Sequence, residues 1–315
     1  MAQIVSGQQL PSRYATLELF TNTPCPICAS QNPNLFNRLQ AYESQYHLIS
    51  FYPGTPYSSC VFYQSNIPDN TVRFQFYTGE IFGTPTVAIN GLDFKSSNGV
   101  TNSVMDAVTG NDSWLQVQVQ ETSGENRTVD ITLEDFVGGS LQTGRLFAAI
   151  VEKVVHFTAP NGETIHHNVF RDFVGPAAGE EIDLSSGSAS KTYNYSVNAG
   201  WDADQIYVIA WLSDPVTKEI YNSGTRFDSV LISAAEDILN DEALSIYPNP
   251  VSSTLNIDVK VIGDYSVTLY SVLGAKMGTW HNVQKIDVKG IAAGTYVVRV
   301  DSKQGVGMRR VVVEN

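Results

Sequence analysis

The strongest constraint on the fold is an alternation of apolar and polar residues that begins at Trp114. Residues 114–121, WLQVQVQE, alternate as a strand with one buried face does. Residues 127–133, RTVDITL, repeat the pattern, and Asn161-Gly162 is a favoured hairpin turn between two later strand-like runs. Roughly seven strands follow one another without a convincing helix. We therefore predict an all-β immunoglobulin-like sandwich over residues 113–232.

Residues 1–112 have a different order, in which strand and helix patterns alternate. We predict strands at residues 14–20, 47–52, 72–77 and 86–90. A helix is predicted between the first two strands, and a closing helix at 98–108. Mixed order of this kind predicts a layered α/β domain.

Size and charge limit the classes of function that the protein can have. The chain has 315 residues, a length typical of multidomain proteins. Its formal net charge of -13 repels nucleic acids and anionic lipids, so we expect no nucleic-acid partner. No run approaches the ~18 apolar residues of a membrane helix, so we expect no transmembrane segment. The acidic stretch 233–243, SAAEDILNDEA, is predicted to be a linker.

The segment 244–315 carries several motifs in order. They are YPNPV at 247–251, LYSVLG at 269–274, GTYVVRV at 294–300 and RRVVV at 309–313. The prolines blunt strand edges and the glycines allow turns, which predicts a small all-β sandwich. The segment resembles the type A C-terminal sorting domain of the type IX secretion system. The resemblance implies recognition by the outer-membrane translocon, followed by release or attachment at the cell surface.

The N-terminal residues lack the features of a signal peptide. Residues 1–5, MAQIV, contain no basic region and no long apolar region. Because the sorting segment implies export, we expect that a leader has been removed. We predict a secreted protein, or one on the extracellular face of the outer membrane.

Two cysteines lie close together in the motif Cys25-Pro26-Ile27-Cys28, between a predicted strand and a predicted helix. Thioredoxin-like redox sites have this arrangement. The helix dipole and the first backbone N–H groups favour the thiolate form of Cys25. Cys28, one turn further on, can attack a mixed disulfide and release the product. We predict Cys25 as the nucleophile and Cys28 as the resolving thiol, with Pro26 and Ile27 contacting the substrate.

A second motif supports this site. Residues 83–91, GTPTVAING, resemble the thioredoxin-family segment in which a cis-proline begins a strand beside the two cysteines. The resemblance implies that Pro85 is this proline and that the backbone of Thr84 pairs with bound peptide. Residues 1–112 therefore resemble a thioredoxin-like domain. The whole chain resembles exported thioredoxin-like, immunoglobulin-like outer-membrane-related proteins with a type A sorting domain.

One position departs from the thioredoxin pattern. Typical members carry a buried acid six residues before the first cysteine, which relays the proton of the second thiol. Leu19 occupies that position here. Glu18 is adjacent, but strand alternation should point its side chain to the opposite face. This change weakens the case for efficient reduction.

The remaining candidates give no further site. Cys60 is flanked by apolar residues, which favours a buried, small hydrophobic role over a redox role. A metal site at the CPIC motif would need two more ligands, and no second CxxC or spaced histidine pair supplies them. We expect no metal and no cofactor.

Two hypotheses of function remain open. The first is thiol-disulfide exchange with a protein or peptide substrate, which requires an exposed, readily ionised Cys25 thiol. The second is a non-catalytic surface binding or adhesion protein with a structural Cys25–Cys28 disulfide, which requires a buried pair that is hard to reduce.

Overall fold

The computed structural model describes residues 10–136, 141–229, 239, 243–271 and 276–314. Residues 1–5 and the 272–274 part of the LYSVLG motif lie outside the described residues. The predicted linker at 233–243 also lies outside them, apart from Leu239 and Ala243.

The first part of the described chain combines four strands with four α-helices. They are β1 (Ala15–Phe20), α1 (Pro26–Leu39), β2 (Tyr46–Phe51), α2 (Val61–Ser65), α3 (Ile67–Phe76), β3 (Thr86–Ile89), β4 (Asp93–Lys95) and α4 (Asn102–Val108). Short 3₁₀ turns occupy Gln40–Tyr42 and Ser97–Gly99. Strand β1 pairs with β2 in parallel and with β3 in antiparallel register.

The second part consists of strands. They are β5 (Leu115–Glu121), β6 (Asn126–Asp135), β7 (Thr143–His156), β8 (Ile165–Phe173), β9 (Glu180–Asp183), β10 (Ser188–Ser196), β11 (Ile206–Ser213) and β12 (Ile220–Thr225). A three-stranded sheet in the order β10-β6-β5 packs its apolar face, with Val117, Val119, Ile131 and Leu133, against β7 and β11.

The third part is a small two-sheet module. Its strands are β13 (Leu244–Tyr247), β14 (Thr254–Val259), β15 (Tyr265–Ser271), β16 (Lys276–His281), β17 (Lys285–Asp287), β18 (Gly294–Ser302) and β19 (Gly305–Val313). The sheets run β13-β14-β17 and β16-β15-β18-β19 and enclose a core that includes Leu255, Ile257, Leu269 and Val298. The predicted C-terminal β-sandwich is confirmed.

The predicted fold class of the first two parts is wrong. The described chain is mostly β-sheet, and strands of both parts form one nine-stranded sheet in the order β12-β11-β7-β8-β2-β1-β3-β4, with β9 added beside β7. The join is a parallel pairing at Ser50 and Val169, where the Ser50 hydroxyl also donates to the carbonyl of His167 at 2.7 Å.

The two parts also share a hydrophobic core. Phe20, Ile49 and Phe51 pack with Phe147, Phe170 and Trp211. No separate α/β thioredoxin-like domain and no separate immunoglobulin-like sandwich are therefore evident in the described chain. Residue alternation identifies strands and their buried faces, but it does not identify which strands pair.

The strand predicted at residues 72–77 is also wrong, because these residues fall in and just after helix α3. The Asn66 side chain caps this helix by accepting the backbone N–H of Asp69 at 3.2 Å, and Pro68 lies in its first turn. Both are helix start signals. The helix places Arg73 and Tyr77 on one face, where both reach Glu18 of β1.

Candidate functional site

The CPIC motif forms the N-terminus of helix α1. Cys25 is the N-cap residue in extended conformation, and Pro26 takes the first helical position, where its missing N–H costs nothing. The Cys25 sulfur accepts the backbone N–H of Cys28 at 3.2 Å. An N-cap oxygen ordinarily fills this role, so a developing negative charge on the sulfur is stabilised by a donor already in place.

The GTPTVAING motif lies beside the cysteines. The Thr84–Pro85 peptide bond is cis, and the Cys25 thiol donates to the Thr84 carbonyl across 3.5 Å. A shallow cavity of about 340 Å³ is bordered by Ile27, Phe82, Thr84 and Pro85. Ile27 is 54% exposed and Phe82 is 89% exposed. The structure therefore brings Cys25, Ile27, Thr84 and Pro85 together, and exposed apolar side chains border the cavity that Thr84 and Pro85 line.

Both cysteines of the motif are buried. Cys25 is 3% exposed and Cys28 is fully buried, so the expected exposure of Cys25 is wrong. Burial, followed by the hydrogen bond with Cys25, raises the pKa of the Cys28 thiol to about 12. The hydroxyls of Thr21 and Thr84 act in the opposite direction and lower this pKa. The Cys28 thiol therefore ionises less readily than an ordinary cysteine thiol.

Glu18 lies on the face of β1 opposite the site, as alternation predicts. Leu17 and Leu19 pack toward α1, with Leu35 and Leu39. The Glu18 carboxylate is fully buried and accepts from the Arg73 guanidinium, at 2.8 Å for Nη2 to Oε2, and from the Tyr77 hydroxyl. This acid is committed to a structural ion pair and does not serve Cys28.

Sequence reasoning missed a polar network behind Cys28. The buried Asn32 amide nitrogen donates to the Thr21 hydroxyl at 2.9 Å and to the Glu163 carboxylate at 3.1 Å. Its amide oxygen accepts from the Ser97 hydroxyl at 2.9 Å. Asn32 is four residues after Cys28 and shares its helix face, which is a signal that the sequence does contain.

The Glu163 carboxylate comes from the loop between β7 and β8. Asn161, in the same loop, donates its amide to Glu163 at 2.6 Å and to the Cys25 carbonyl at 2.9 Å. Its backbone N–H also bonds the Thr23 carbonyl at 3.2 Å. A loop from the second part of the chain therefore holds the backbone of the CPIC motif. A cavity of about 690 Å³ lies between this loop and α1.

Cys60 is buried at the N-terminus of α2, where its sulfur accepts from the Thr23 backbone N–H and hydroxyl, the latter at 3.2 Å. These contacts fit a structural thiol that supports the residues before the motif. Within the described residues, no group of three or more histidine, cysteine, aspartate or glutamate side chains could hold a metal ion.

A family model for the secretion system C-terminal sorting domain matches residues 245–314. No curated protein matches the chain. Among solved structures, HBP35 of Porphyromonas gingivalis is 14% identical and matches with a TM-score of 0.58 over 98% of this chain and 100% of that one. This likeness concerns the fold alone.

A second solved structure, a domain of the outer membrane lipoprotein Omp28 from Porphyromonas gingivalis, is 20% identical. It covers 36% of this chain and 86% of its own, and its TM-score of 0.28 is too low to support an argument.

The C-terminal module is thus a sorting domain of the type IX secretion system. The protein is exported by that system and is secreted or placed at the cell surface, and the module implies an interaction with the secretion machinery. No described helix is long and apolar enough to cross a membrane.

Proposed function

We propose that the exported protein carries out thiol-disulfide exchange on polypeptide substrates through Cys25 and Cys28. The observation that carries this proposal is the placement of the Cys25 sulfur. It accepts a backbone N–H at the start of α1 and lies 3.5 Å from the Thr84 carbonyl. A thiolate is favoured at a helix N-terminus, and once the Cys25 thiol has lost its proton the Thr84 carbonyl can accept from an extended peptide.

The exchange takes place in two steps. The Cys25 thiolate attacks a substrate disulfide, a Cys25–substrate bond forms, and the first substrate sulfur leaves as a thiolate that takes up a proton from water. Cys28 then loses its proton to water and attacks the Cys25 sulfur. The Cys25–Cys28 bond forms, the second substrate sulfur leaves, and the substrate disulfide has been reduced by two electrons.

The substrate contacts come from residues on both sides of the sulfur. The exposed Pro26 and Ile27 lie at the tip of the helix, and the Thr84 backbone with Pro85 forms the facing wall. Outside the cytoplasm the pair has no thioredoxin reductase, so we expect it to rest oxidised. Net reduction and isomerisation both start from a free Cys25 thiolate and would need a dedicated dithiol donor, whereas repeated oxidation of substrates would need an oxidant that restores the Cys25–Cys28 disulfide.

Replacement of Cys25 by serine tests this proposal. We expect Cys25→Ser to abolish exchange between the purified protein and a disulfide-bonded peptide. Cys60→Ser is the matched control, since it removes another buried thiol that bonds Thr23, and we expect it to retain most of the rate. Equal exchange by wild type and Cys25→Ser would refute the proposal.

A second candidate function is supported by the burial of the pair. Cys25 and Cys28 are at most 3% exposed, which also fits a structural disulfide in a non-catalytic surface binding or adhesion protein. In that case dithiothreitol should reduce the Cys25–Cys28 bond only after unfolding. Rapid, stoichiometric reaction of native Cys25 with a small disulfide would exclude this alternative.

We further propose that the secretion machinery recognises residues 244–315, one residue beyond the family match at each end. We also propose that residues 1–112, 113–232 and 233–243 form successive segments of the chain. Limited proteolysis followed by mass mapping would test them.

A further inference from the structure

The loop between β7 and β8 meets the CPIC motif as a stiff turn. The Gly162 N–H bonds the Ala159 carbonyl at 2.9 Å, and the Ala159 N–H bonds the Glu163 carbonyl at 2.8 Å. Pro160 and Gly162 occupy positions at which β-turns commonly carry these residues, and Gly162 has a φ of 95°. Both ends of the loop continue into strands of the nine-stranded sheet. The loop therefore contacts the motif with its own shape already fixed.

The Asn161 carboxamide is held by its own loop. Its oxygen accepts the backbone N–H of Glu163 at 3.1 Å, and its nitrogen donates to the Glu163 carboxylate at 2.6 Å and to the Cys25 carbonyl at 2.9 Å. An amide nitrogen has two protons, and these two bonds use both. The backbone N–H of Asn161 also bonds the Thr23 carbonyl at 3.2 Å. The carboxamide is therefore held with its nitrogen against the backbone of Cys25.

The Cys25 carbonyl determines where the sulfur lies relative to helix α1. Cys25 is the N-cap residue, with a φ of -76° and a ψ of 114°, and its sulfur accepts the N–H of Cys28 at 3.2 Å. Because ψ turns the carbonyl together with the helix that follows, a partner that holds the carbonyl also holds the sulfur on this N–H. Within the helix the carbonyl is bonded by the Ala29 N–H at 3.3 Å, so the 2.9 Å bond from Asn161 is the shorter of the two.

We propose that Asn161 is a positioning residue, which holds the Cys25 carbonyl and so keeps the Cys25 sulfur on the backbone N–H of Cys28. Glu163 fixes the carboxamide of Asn161 with its carboxylate and its own backbone N–H. Neither residue gives up or receives a proton. The sulfur held in this way is the thiolate that attacks the substrate disulfide in the first step written above. This inference rests on the proposed exchange reaction and names residues that control its nucleophile.

Three variants and one control test the inference. Asn161→Ala removes both the donor and the turn acceptor, whereas Asn161→Ser keeps a hydroxyl that can accept the Glu163 N–H but is too short to reach the Cys25 carbonyl. Glu163→Ala leaves the Asn161 carboxamide free to rotate. Asn37→Ser is the matched control, because Asn37 is an exposed asparagine that borders the 690 Å³ cavity beside this loop and takes no part in the contacts of the motif. Circular dichroism identifies any variant that fails to fold.

Two measurements report on Cys25 directly. The first is the ultraviolet absorbance of its thiolate as the pH is raised, in a Cys28→Ser/Cys60→Ser background, with the absorbance of a cysteine-free protein subtracted. The second is the rate at which the reduced protein attacks a small aromatic disulfide. We expect Asn161→Ala and Asn161→Ser to lower the ratio of thiolate to thiol roughly fivefold, the factor equivalent to one net hydrogen bond. The attack should slow only about twofold, because a more basic thiolate is also more nucleophilic. Glu163→Ala should have a smaller effect in the same direction.

The outcomes separate this inference from the proposed function. If wild type lacks exchange with peptides but the thiolate ratio falls in the folded Asn161 variants and not in Asn37→Ser, the proposed function fails and the positioning role stands. If wild type exchanges disulfides and folded Asn161→Ala and Asn161→Ser keep the wild-type ratio, the inference is overturned. An equal loss in Asn37→Ser, or a failure of all three variants to fold, would also overturn it, because Asn161 and Glu163 would then be structural residues.

Discussion

Two buried polar clusters flank β1, and they are built differently. On one face, Glu18 is fully buried and is neutralised by Arg73, with the Tyr77 hydroxyl completing its shell. The second cluster lies beyond the end of the strand. There the partly exposed Glu163 accepts from two neutral carboxamides, Asn32 and Asn161. The first cluster balances its charge internally. The second holds its carboxylate with neutral hydrogen-bond donors.

The difference suits a structural role for the Glu18 cluster. The Glu18–Arg73 pair is buried and is bonded through both carboxylate oxygens, although Arg73 Nη1 has no hydrogen-bond partner among the described residues. The Arg73 guanidinium also lies over the rings of Phe76 and Phe147, at 4.3 and 4.5 Å from their centroids. The Glu163 carboxylate is instead held by neutral amides at the edge of the 690 Å³ cavity.

The largest expected effect comes from breaking the cluster of Glu18, Arg73 and Tyr77. Arg73→Ala leaves the Glu18 carboxylate buried without its counter-ion, and we expect it to lower the free energy of unfolding by about 3–5 kcal/mol. Lys95→Ala is the control, because it removes an exposed ion pair with Asp93 and should cost less than about 1 kcal/mol. Urea unfolding measures both. A loss of similar size in the two variants would show that the Glu18 cluster is not a structural anchor.

Replacing the whole cluster by apolar residues should reverse most of this loss. In the triple variant Glu18→Leu/Arg73→Met/Tyr77→Phe no charge or hydroxyl is left buried without a partner. We expect its free energy of unfolding to lie within about 2 kcal/mol of wild type. The rate of thiol-disulfide exchange should stay unchanged, because the cluster lies on the face opposite the cysteines. A folded triple variant with a strongly altered exchange rate would remove the distinction between the two clusters.

Sequence reasoning succeeded where the signal is local and failed where it depends on distant pairing. The contact of the CPIC motif with Thr84 and Pro85 follows from motifs of known geometry, and the direction of Glu18 follows from strand alternation. Residues 72–77, VRFQFY, mimic a strand because their apolar residues alternate, yet Asn66 and Pro68 start a helix that overrides this pattern.

The shared nine-stranded sheet could not be predicted in the same way. Its join rests on one pairing, Ser50 with Val169, between strands more than a hundred residues apart. The Asn161-Gly162 turn was recognisable, but the contact of its loop with Cys25 was not, because a turn signal fixes local geometry and not the surface that the loop meets. Glu163 was missed for that reason.

The smallest expected effect concerns the Cys28 thiol and depends on pH. The pKa of the Cys28 thiol is raised from 9.0 to about 12, first by burial and then by its hydrogen bond with Cys25. Between these values the unfolded chain has lost a proton that the folded, reduced protein keeps. Stability is therefore complete below pH 9 and falls as the pH rises toward 12. At pH 10 the expected loss is about 1.4 kcal/mol.

Cys28→Ser isolates this contribution, since the variant has no thiol at position 28 and retains every tyrosine that titrates in the same range. The free energy of unfolding of reduced wild type should fall more steeply than that of Cys28→Ser between pH 8 and pH 10. Parallel curves would mean that Cys28 ionises as readily in the folded protein as in the unfolded chain. In that case burial would not control the ionisation of Cys28, and the cluster around Glu163 would be as structural as the cluster around Glu18.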